Sequence, residues 1–291
     1  MSATLPASPP SLAREGRLRL TPGRRVALVL GVPVVLAIIA FTGFGYVGDI
    51  GHASYPVSFT VPAARDTGLT LNLNGGNATL RSDAAAVPGR ASVTGTVDYS
   101  LTRPTLRHHA GDISFACPHV DLGNCTLNAT VDLPAADTPL HLSSGGGDVS
   151  ATGLDGTSSL TTDGGNLTLA AVAGTLTVSS GGGDVTADHL GGTPSLTTNG
   201  GNINATAIDA GRVTVTSGGG DVTLSFSQAP SNVHVTANGG NVTIIVPPGG
   251  HYDVTTIPDG GNVNALPRTS GATNVIWVKS GGGDINISQS A

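Results

Sequence analysis

Acidic and amide side chains follow glycine pairs or triplets throughout this chain, and they are the residues with the clearest capacity for chemistry. The nine residues that follow such glycines are Asn77, Asp148, Asn166, Asp184, Asn202, Asp221, Asn241, Asn262 and Asp284. Carboxylate and carbonyl oxygens are the ligands that Ca²⁺ prefers. Gly-Gly-rich repeats of nine residues with Asp form calcium-binding β-rolls. A calcium-dependent surface-binding β-roll is therefore one hypothesis for these positions.

The spacing and the alternation of these residues favour a structural role instead. The last eight are 18, 18, 18, 19, 20, 21 and 22 residues apart, about twice the β-roll period, and Asp alternates with Asn from Asp148 to Asn241. In coils stacked about 4.8 Å apart, equivalent carboxylates would be about 9–10 Å apart. We therefore interpret the last eight residues as coil-corner turns, where glycine permits positive φ and close backbone approach. We expect no metal site and no cofactor.

The residues on both sides of each corner have the two-residue period of half-buried strands. Positions are counted from the Asp or Asn as zero, so that positions +1, +3 and −6 are mostly apolar and positions +2 and −5 are mostly Ser, Thr or Asn. A fixed period near 20 residues indicates a repeat architecture. The pattern predicts an all-β fold, a parallel β-solenoid of about eight coils over residues 140–291. Residues 56–139 alternate less regularly and form an N-terminal β part.

Composition supports a thin β core. Aromatic residues make up 3% of the chain and charged residues 11%, while 43 of the 291 residues are glycine. Such a chain has too few large side chains for a helical bundle or an α/β enzyme. Outside residues 1–25, eight basic side chains face eighteen acidic ones. This acidic balance argues against nucleic-acid binding, which needs clustered Lys and Arg.

Residues 26–47 form an uncharged apolar stretch, VALVLGVPVVLAIIAFTGFGYV. As a helix it would span about 33 Å, enough to cross a bilayer. Five arginines precede it within residues 1–25, so the positive-inside rule places that disordered tail in the cytoplasm. We predict a single-pass signal-anchor in the cell membrane, a linker over residues 48–55 and an extracellular C-terminal domain.

Cys117 and Cys125 are the only cysteines, with seven residues between them. On the exported side of a membrane, an even number of cysteines predicts a disulfide. Cys117, Cys125 and the neighbouring histidines could alternatively seed a metal site, although their spacing matches no standard zinc pattern.

The sequence offers no set of catalytic groups that repeats with the coils. His141, His189, His234 and His251 fall at different coil positions, as do the basic residues of the repeat region. We therefore expect no enzyme activity, and keep a polysaccharide-acting β-helix enzyme as the second alternative.

The segment VDLPAADTPLHLSSGGGDVSATGLDG (131–156), with the glycine-spaced coils after it, resembles the bacterial putative-adhesin family of β-strand repeats. The resemblance covers about residues 56–290. It implies an exported β-solenoid domain of unknown function with a surface role, and it supplies no catalytic or ligand residues. The resulting hypothesis is a non-enzymatic cell-envelope scaffold or adhesion module, with a cell-envelope protein or polymer as its partner.

Overall fold

Every regular element in the described part of the chain is a β-strand, and no helix occurs there. The computed structural model describes residues 52–83, 85–118 and 124–290. The strands that precede the regular repeats are β1 (Ala53–Pro62), β2 (Leu69–Leu73), β3 (Ala78–Ser82), β4 (Arg90–Tyr99), β5 (Thr105–His109), β6 (Asp112–Ala116) and β7 (Cys125–Leu133). The strands of the regular repeats are β8 (Leu140–Ser144), β9 (Val149–Thr152), β10 (Thr157–Thr162), β11 (Leu167–Val172), β12 (Thr175–Ser180), β13 (Val185–Leu190), β14 (Thr193–Thr198), β15 (Ile203–Ile208), β16 (Arg212–Ser217), β17 (Val222–Phe226), β18 (Asn232–Ala237), β19 (Val242–Val246), β20 (Tyr252–Pro258), β21 (Val263–Asn264), β22 (Asn274–Ser280) and β23 (Ile285–Gln289).

The strands form two sheets, and each regular coil contributes one strand to each sheet. The strand after each corner joins sheet A, whose order is β1-β4-β7-β3-β9-β11-β13-β15-β17-β19-β23-β21. The strand before each corner joins sheet B, whose order is β20-β22-β18-β16-β14-β12-β10-β8-β2-β6-β5. From β2 and β3 to the far end, all pairings are parallel. The sheets confirm the predicted all-β solenoid.

Small aliphatic side chains fill the space between the two sheets. In sheet B, Leu160 pairs in register with Val178, and Val178 with Leu196; all three side chains are buried. In sheet A, Leu167 and Val185 are equivalent and equally buried. Burying one such side chain contributes about 1.5–3 kcal/mol. Each coil therefore depends on its neighbours for its hydrophobic stabilisation.

The coils do not stack in chain order at the two ends of the solenoid, so our expectation of sequential stacking is wrong there. The coil of β2 and β3 packs directly on that of β8 and β9, although Asn77 and Asp148 are 71 residues apart. At the other end, β23 lies between β19 and β21, and β22 lies between β18 and β20. The last coil of the chain is therefore enclosed by two earlier ones.

Antiparallel strands cap the end of the solenoid where the described chain begins. Strands β1, β4 and β7 extend sheet A, and β5 and β6 extend sheet B. The edge strands meet through the stacked rings of Phe59 and His108, 4.2 Å apart. The predicted disulfide is confirmed: Cys117 follows β6 and is bonded to Cys125 at the start of β7. It therefore links the two sheets at this end.

The predicted membrane span, residues 26–47, lies outside the described residues, as do the tail before it and the first half of the linker after it. Among the residues that are described, no helix is long and apolar enough to cross a membrane.

Candidate functional site

The nine corner residues come together in a single column along one edge of the solenoid. The backbone N–H of each donates to the side-chain Oδ1 of its neighbour toward the N-terminal end, with N···O distances of 2.7–3.0 Å. The column starts at Asn128, whose Oδ1 accepts the N–H of Asn77. We call it the Asx ladder; from Asn128 it runs Asn77, Asp148, Asn166, Asp184, Asn202, Asp221, Asn241, Asp284, Asn262.

Asp and Asn alternate without exception along the Asx ladder from Asn77 to Asn262. In the sequence, Asn241 and Asn262 are consecutive corners, which interrupts the alternation. In space, Asp284 lies between them, because its coil is inserted there. Carboxylates are therefore two coils apart, about 9–10 Å, which is close to the Debye length at physiological salt. The ladder satisfies backbone donors while keeping like charges apart.

A second column, at position −3, alternates in step with the ladder. In spatial order it reads Asn74, Gly145, Asp163, Gly181, Asn199, Gly218, Asn238, Gly281, Asp259. A Cβ at Gly181 would lie under 3.0 Å from the carbonyl oxygen of Asp163, and the same holds for the other three glycines against their neighbours. The solenoid therefore alternates two coil types, Ser-Gly-Gly-Gly-Asp and x-Asx-Gly-Gly-Asn, where Asx is Asp or Asn.

The glycines at positions −1 and −2 of the corners have different roles. A Cβ at Gly183, position −1, would lie under 3.0 Å from the carbonyl oxygen of Gly165 in the adjacent coil. A Cβ at Gly182, position −2, would meet nothing within 4 Å. Between residues 145 and 240, no corner glycine has a positive φ. In these coils the glycine is required for close approach of stacked backbones, and the positive φ that we expected occurs only at corner glycines of the end coils, such as Gly76 and Gly261.

Buried hydroxyl groups at position −4 stabilise the corners from the inside. Thr198 is buried; its Oγ1 accepts the N–H of Gly201 at 3.0 Å and donates to the carbonyl oxygen of Gly183 at 3.3 Å. Ser180 and Thr162 make the same pair of bonds one and two coils earlier, respectively. Sequence reasoning missed this column, although a Ser or Thr four residues before the corner was visible in most repeats.

Four ion pairs occur among the other titratable residues of the described chain. The Asp188 carboxylate is 2.7 Å from Nδ1 of His189 and accepts a hydrogen bond from the Thr206 hydroxyl at 2.9 Å. The hydrogen bond with His189 is the main cause, and that from Thr206 the next, of a pKa of Asp188 below its usual range. The Arg268 guanidinium lowers the pKa of Asp253 in the same way. No group of three or more His, Cys, Asp or Glu residues that could hold a metal ion occurs among the described residues.

The histidines considered as catalytic candidates are spread over the molecule. His141 lies on β8, His234 on β18 and His251 just before β20. His234 is stacked on Trp277 at 4.2 Å, and His189 is bound to Asp188. The two described cavities, of about 300 and 440 Å³, lie near the two ends of the solenoid; the first includes His251, and the second includes Arg65 and Asp66. The structure does not bring the four histidines together.

These features define a class of protein: a two-sheet parallel β-solenoid whose alternating coils are joined by an Asx ladder. The chain belongs to the Toastrack DUF4097 family, whose profile matches residues 41–288. This agrees with the resemblance stated from the sequence.

Solved structures similar to this chain include three from Bacteroides and Parabacteroides species. A Bacteroides fragilis protein described as a putative adhesin is 15% identical, with 82% of this chain and 97% of that chain covered and a TM-score of 0.52. A putative adhesin from Parabacteroides merdae is 13% identical, with 84% and 98% covered and a TM-score of 0.38. A Parabacteroides distasonis protein described as a putative lipid binding protein is 10% identical, with 81% and 97% covered and a TM-score of 0.40. At 15% identity, the Bacteroides fragilis protein shows similarity of fold alone.

No curated protein matches the chain.

Proposed function

We propose that this chain is a membrane-anchored, exported β-solenoid that acts as a non-enzymatic scaffold or adhesion module of the cell envelope. The observation that carries the proposal is the continuous Asx ladder. It fixes the register of every coil from Asn77 to Asn262 by side-chain to backbone bonds, as a rigid spacer requires. The repeats build a regular stack of coils, and the side chains of its ladder are already engaged in structural hydrogen bonds to the backbone.

The outer faces suit binding of a polar envelope partner more than catalysis. Outward positions in the middle of sheet B are short hydroxyl side chains, such as Thr161, Ser179 and Thr197 on successive strands. Ser, Thr and Asn in such rows can donate and accept hydrogen bonds over a long surface without presenting a reactive group. The partner classes that fit are a cell-envelope protein and a hydroxylated polymer.

Two features weigh against the alternatives. Each Asp of the ladder already accepts a backbone N–H through Oδ1, and its nearest ladder carboxylate is two coils away, so the column is poorly suited to a chain of calcium ions. For a polysaccharide-acting enzyme, a cavity with converging acids and bases would be needed. The two described cavities are lined mainly by glycine, alanine, proline and other small or neutral residues.

The export and orientation can be tested with the one lysine in the chain. Lys279 is exposed on β22, near the opposite end of the solenoid from β5. In intact cells, a membrane-impermeant amine reagent should label Lys279 and leave the N-terminal amine unlabelled until lysis. In intact cells that carry the Lys279→Arg variant, the reagent should leave this protein unlabelled. The protein should stay with the membrane after an alkaline wash.

Other outcomes would contradict specific parts of the proposal. Label on the N-terminal amine of intact cells would reverse the orientation. No label before lysis would exclude export. Label together with release by the alkaline wash would show a cleaved or absent anchor.

A further inference from the structure

We propose that the N-terminal end of the solenoid rests on the surface of an anionic lipid membrane. This end face is formed by the inward side chains of the two edge strands: Tyr55, Val57 and Phe59 of β1, and Leu106 and His108 of β5. The proposal rests on the proposed membrane anchorage and adds which part of the domain contacts lipid and through which groups.

The end face is apolar and aromatic, and none of the described residues covers it. Tyr55, Val57, Phe59 and Leu106 point to the same side as buried core residues, yet all four are only half-buried, because among the described strands none lies beyond β1 or β5. Three of the four incompletely buried aromatic residues in the described chain, Tyr55, Phe59 and Tyr99, lie at this end. Tyrosines with one apolar and one polar edge are typical of membrane–water interfaces.

Most of the basic residues beyond the tail lie at the same end. Five of the eight basic residues beyond the tail precede Asn124: Arg65, Arg81, Arg90, Arg103 and Arg107. Arg103 lies over the Tyr55 ring, 4.8 Å from its centroid, and Arg107 is exposed on β5. Neither takes part in the four ion pairs found among the described residues. Residues 48–139 hold five Arg and eight Asp, and the regular coils beyond them hold ten Asp against three basic residues. Anionic headgroups would therefore attract Arg103 and Arg107 at the end face and repel the regular coils.

The chain path agrees with this placement. The predicted span ends at residue 47 and β1 begins at Ala53, so at most about 20 Å of extended chain separates the two. Tyr55 is the third residue of β1, directly after that connection. Because this connection is short, it raises the local concentration of the end face at the headgroups, and weak contacts are then enough to hold the end face there.

The native tryptophan supplies an internal control for a test. Trp277 lies on β22, nine strands from β5, which corresponds to about 43 Å. The full chain and a Tyr55→Trp/Trp277→Phe variant would each be reconstituted into vesicles of anionic phospholipid, with and without bromine on the acyl chains. Bromine quenches only tryptophan near the bilayer. We expect loss of emission for the variant and no change for the unaltered chain.

Charge reversal shows whether the contact is made by the named groups. Arg103→Glu/Arg107→Glu in the variant background should reduce the quenching, and raising the salt concentration should do the same. Arg212→Glu, at the start of β16 far from the end face, is the matched control and should leave the quenching unchanged. The unfolding midpoint of each variant verifies that the cap is folded.

Three results would overturn the proposal. Unquenched emission from the Tyr55→Trp variant in a folded, vesicle-bound chain would place the end face away from lipid. Quenched Trp277 would mean that the solenoid lies flat. If the tryptophan at position 55 emits at shorter wavelength in both detergent and lipid and is not quenched by bromine, a second copy of the chain covers the end face. Failure of the anchorage itself would be seen separately, as release of the chain from the vesicles by alkaline wash.

Discussion

Replacing Gly183 with alanine should destabilise the solenoid, whereas the same change at Gly182 should not. A Cβ at position 183 would lie under 3.0 Å from the carbonyl oxygen of Gly165, where ordinary contacts begin at 3.4 Å. The obstacle is backbone of the adjacent coil, which cannot rotate away as a side chain could. At position 182, nothing lies within 4 Å of the added atom.

The magnitude follows from what must move. Overpacking costs about 1–3 kcal/mol when neighbours can adjust. Separating the two coils here would also weaken the bond from Ser180 Oγ to the Gly165 carbonyl, at 3.4 Å, and that from Asp184 N–H to Asn166 Oδ1, at 3.0 Å. We therefore expect Gly183→Ala to lose about 3 kcal/mol, and Gly182→Ala to stay within about 0.5 kcal/mol of the unaltered protein.

The suitable assay is unfolding in denaturant monitored by hydrogen exchange of the individual strands, because coils of a repeat protein can open separately. The loss of protection for Gly183→Ala should be largest in β11 to β14, on both sides of the altered corner. Equal losses for the two variants would refute the reasoning, since both changes add one methyl group to a corner glycine. Full stability of Gly183→Ala would refute it as well.

Three further substitutions test other parts of the structure. Asn202→Asp would place three carboxylates on consecutive rungs about 4.8 Å apart, and we expect a loss of about 1 kcal/mol at low salt that shrinks in high-salt denaturation curves. Replacing Cys117 and Cys125 together by alanine removes a short covalent loop and should cost about 2–3 kcal/mol, measured as a lower unfolding midpoint that reductant does not lower further. Arg268→Ala removes the hydrogen bond that holds down the pKa of Asp253, so a carboxyl NMR titration should show that pKa rising toward about 3.9. A depressed folded-state pKa gives stability that is present above the unfolded pKa and lost as the pH falls through the folded one; Arg268→Ala should therefore weaken the acid dependence below about pH 4.

The parts of the fold that depend on local pattern could be predicted from the sequence. Glycine corners and the alternation on both sides of them indicate strands, turns and inward columns such as Leu160, Val178 and Leu196. The disulfide followed from two cysteines in a domain that the sequence predicts to be exported. These features are encoded within about 20 residues, and periodicity detects them.

The order of the coils is set by contacts between distant segments, and local pattern does not contain them. Asn77 stacks on Asp148 across 71 residues, and Asp284 inserts between Asn241 and Asn262. A usable signal was nevertheless present: two Asn corners in succession break an otherwise alternating series, and inserting the Asp284 coil restores it. The backbone clash at position −1 could not be predicted, because it depends on how closely adjacent coils approach.

The most direct test of the structural role of the Asx ladder is the unfolding midpoint of the unaltered protein in EDTA and across a calcium titration. A ligand that binds only the folded state must raise its stability, by about 2.7 kcal/mol at one hundred times its dissociation constant. If the ladder serves the backbone and keeps its carboxylates apart, the midpoint should be the same in EDTA and in millimolar calcium. A midpoint that rises with calcium and falls on chelation would contradict this account and support the calcium-binding alternative.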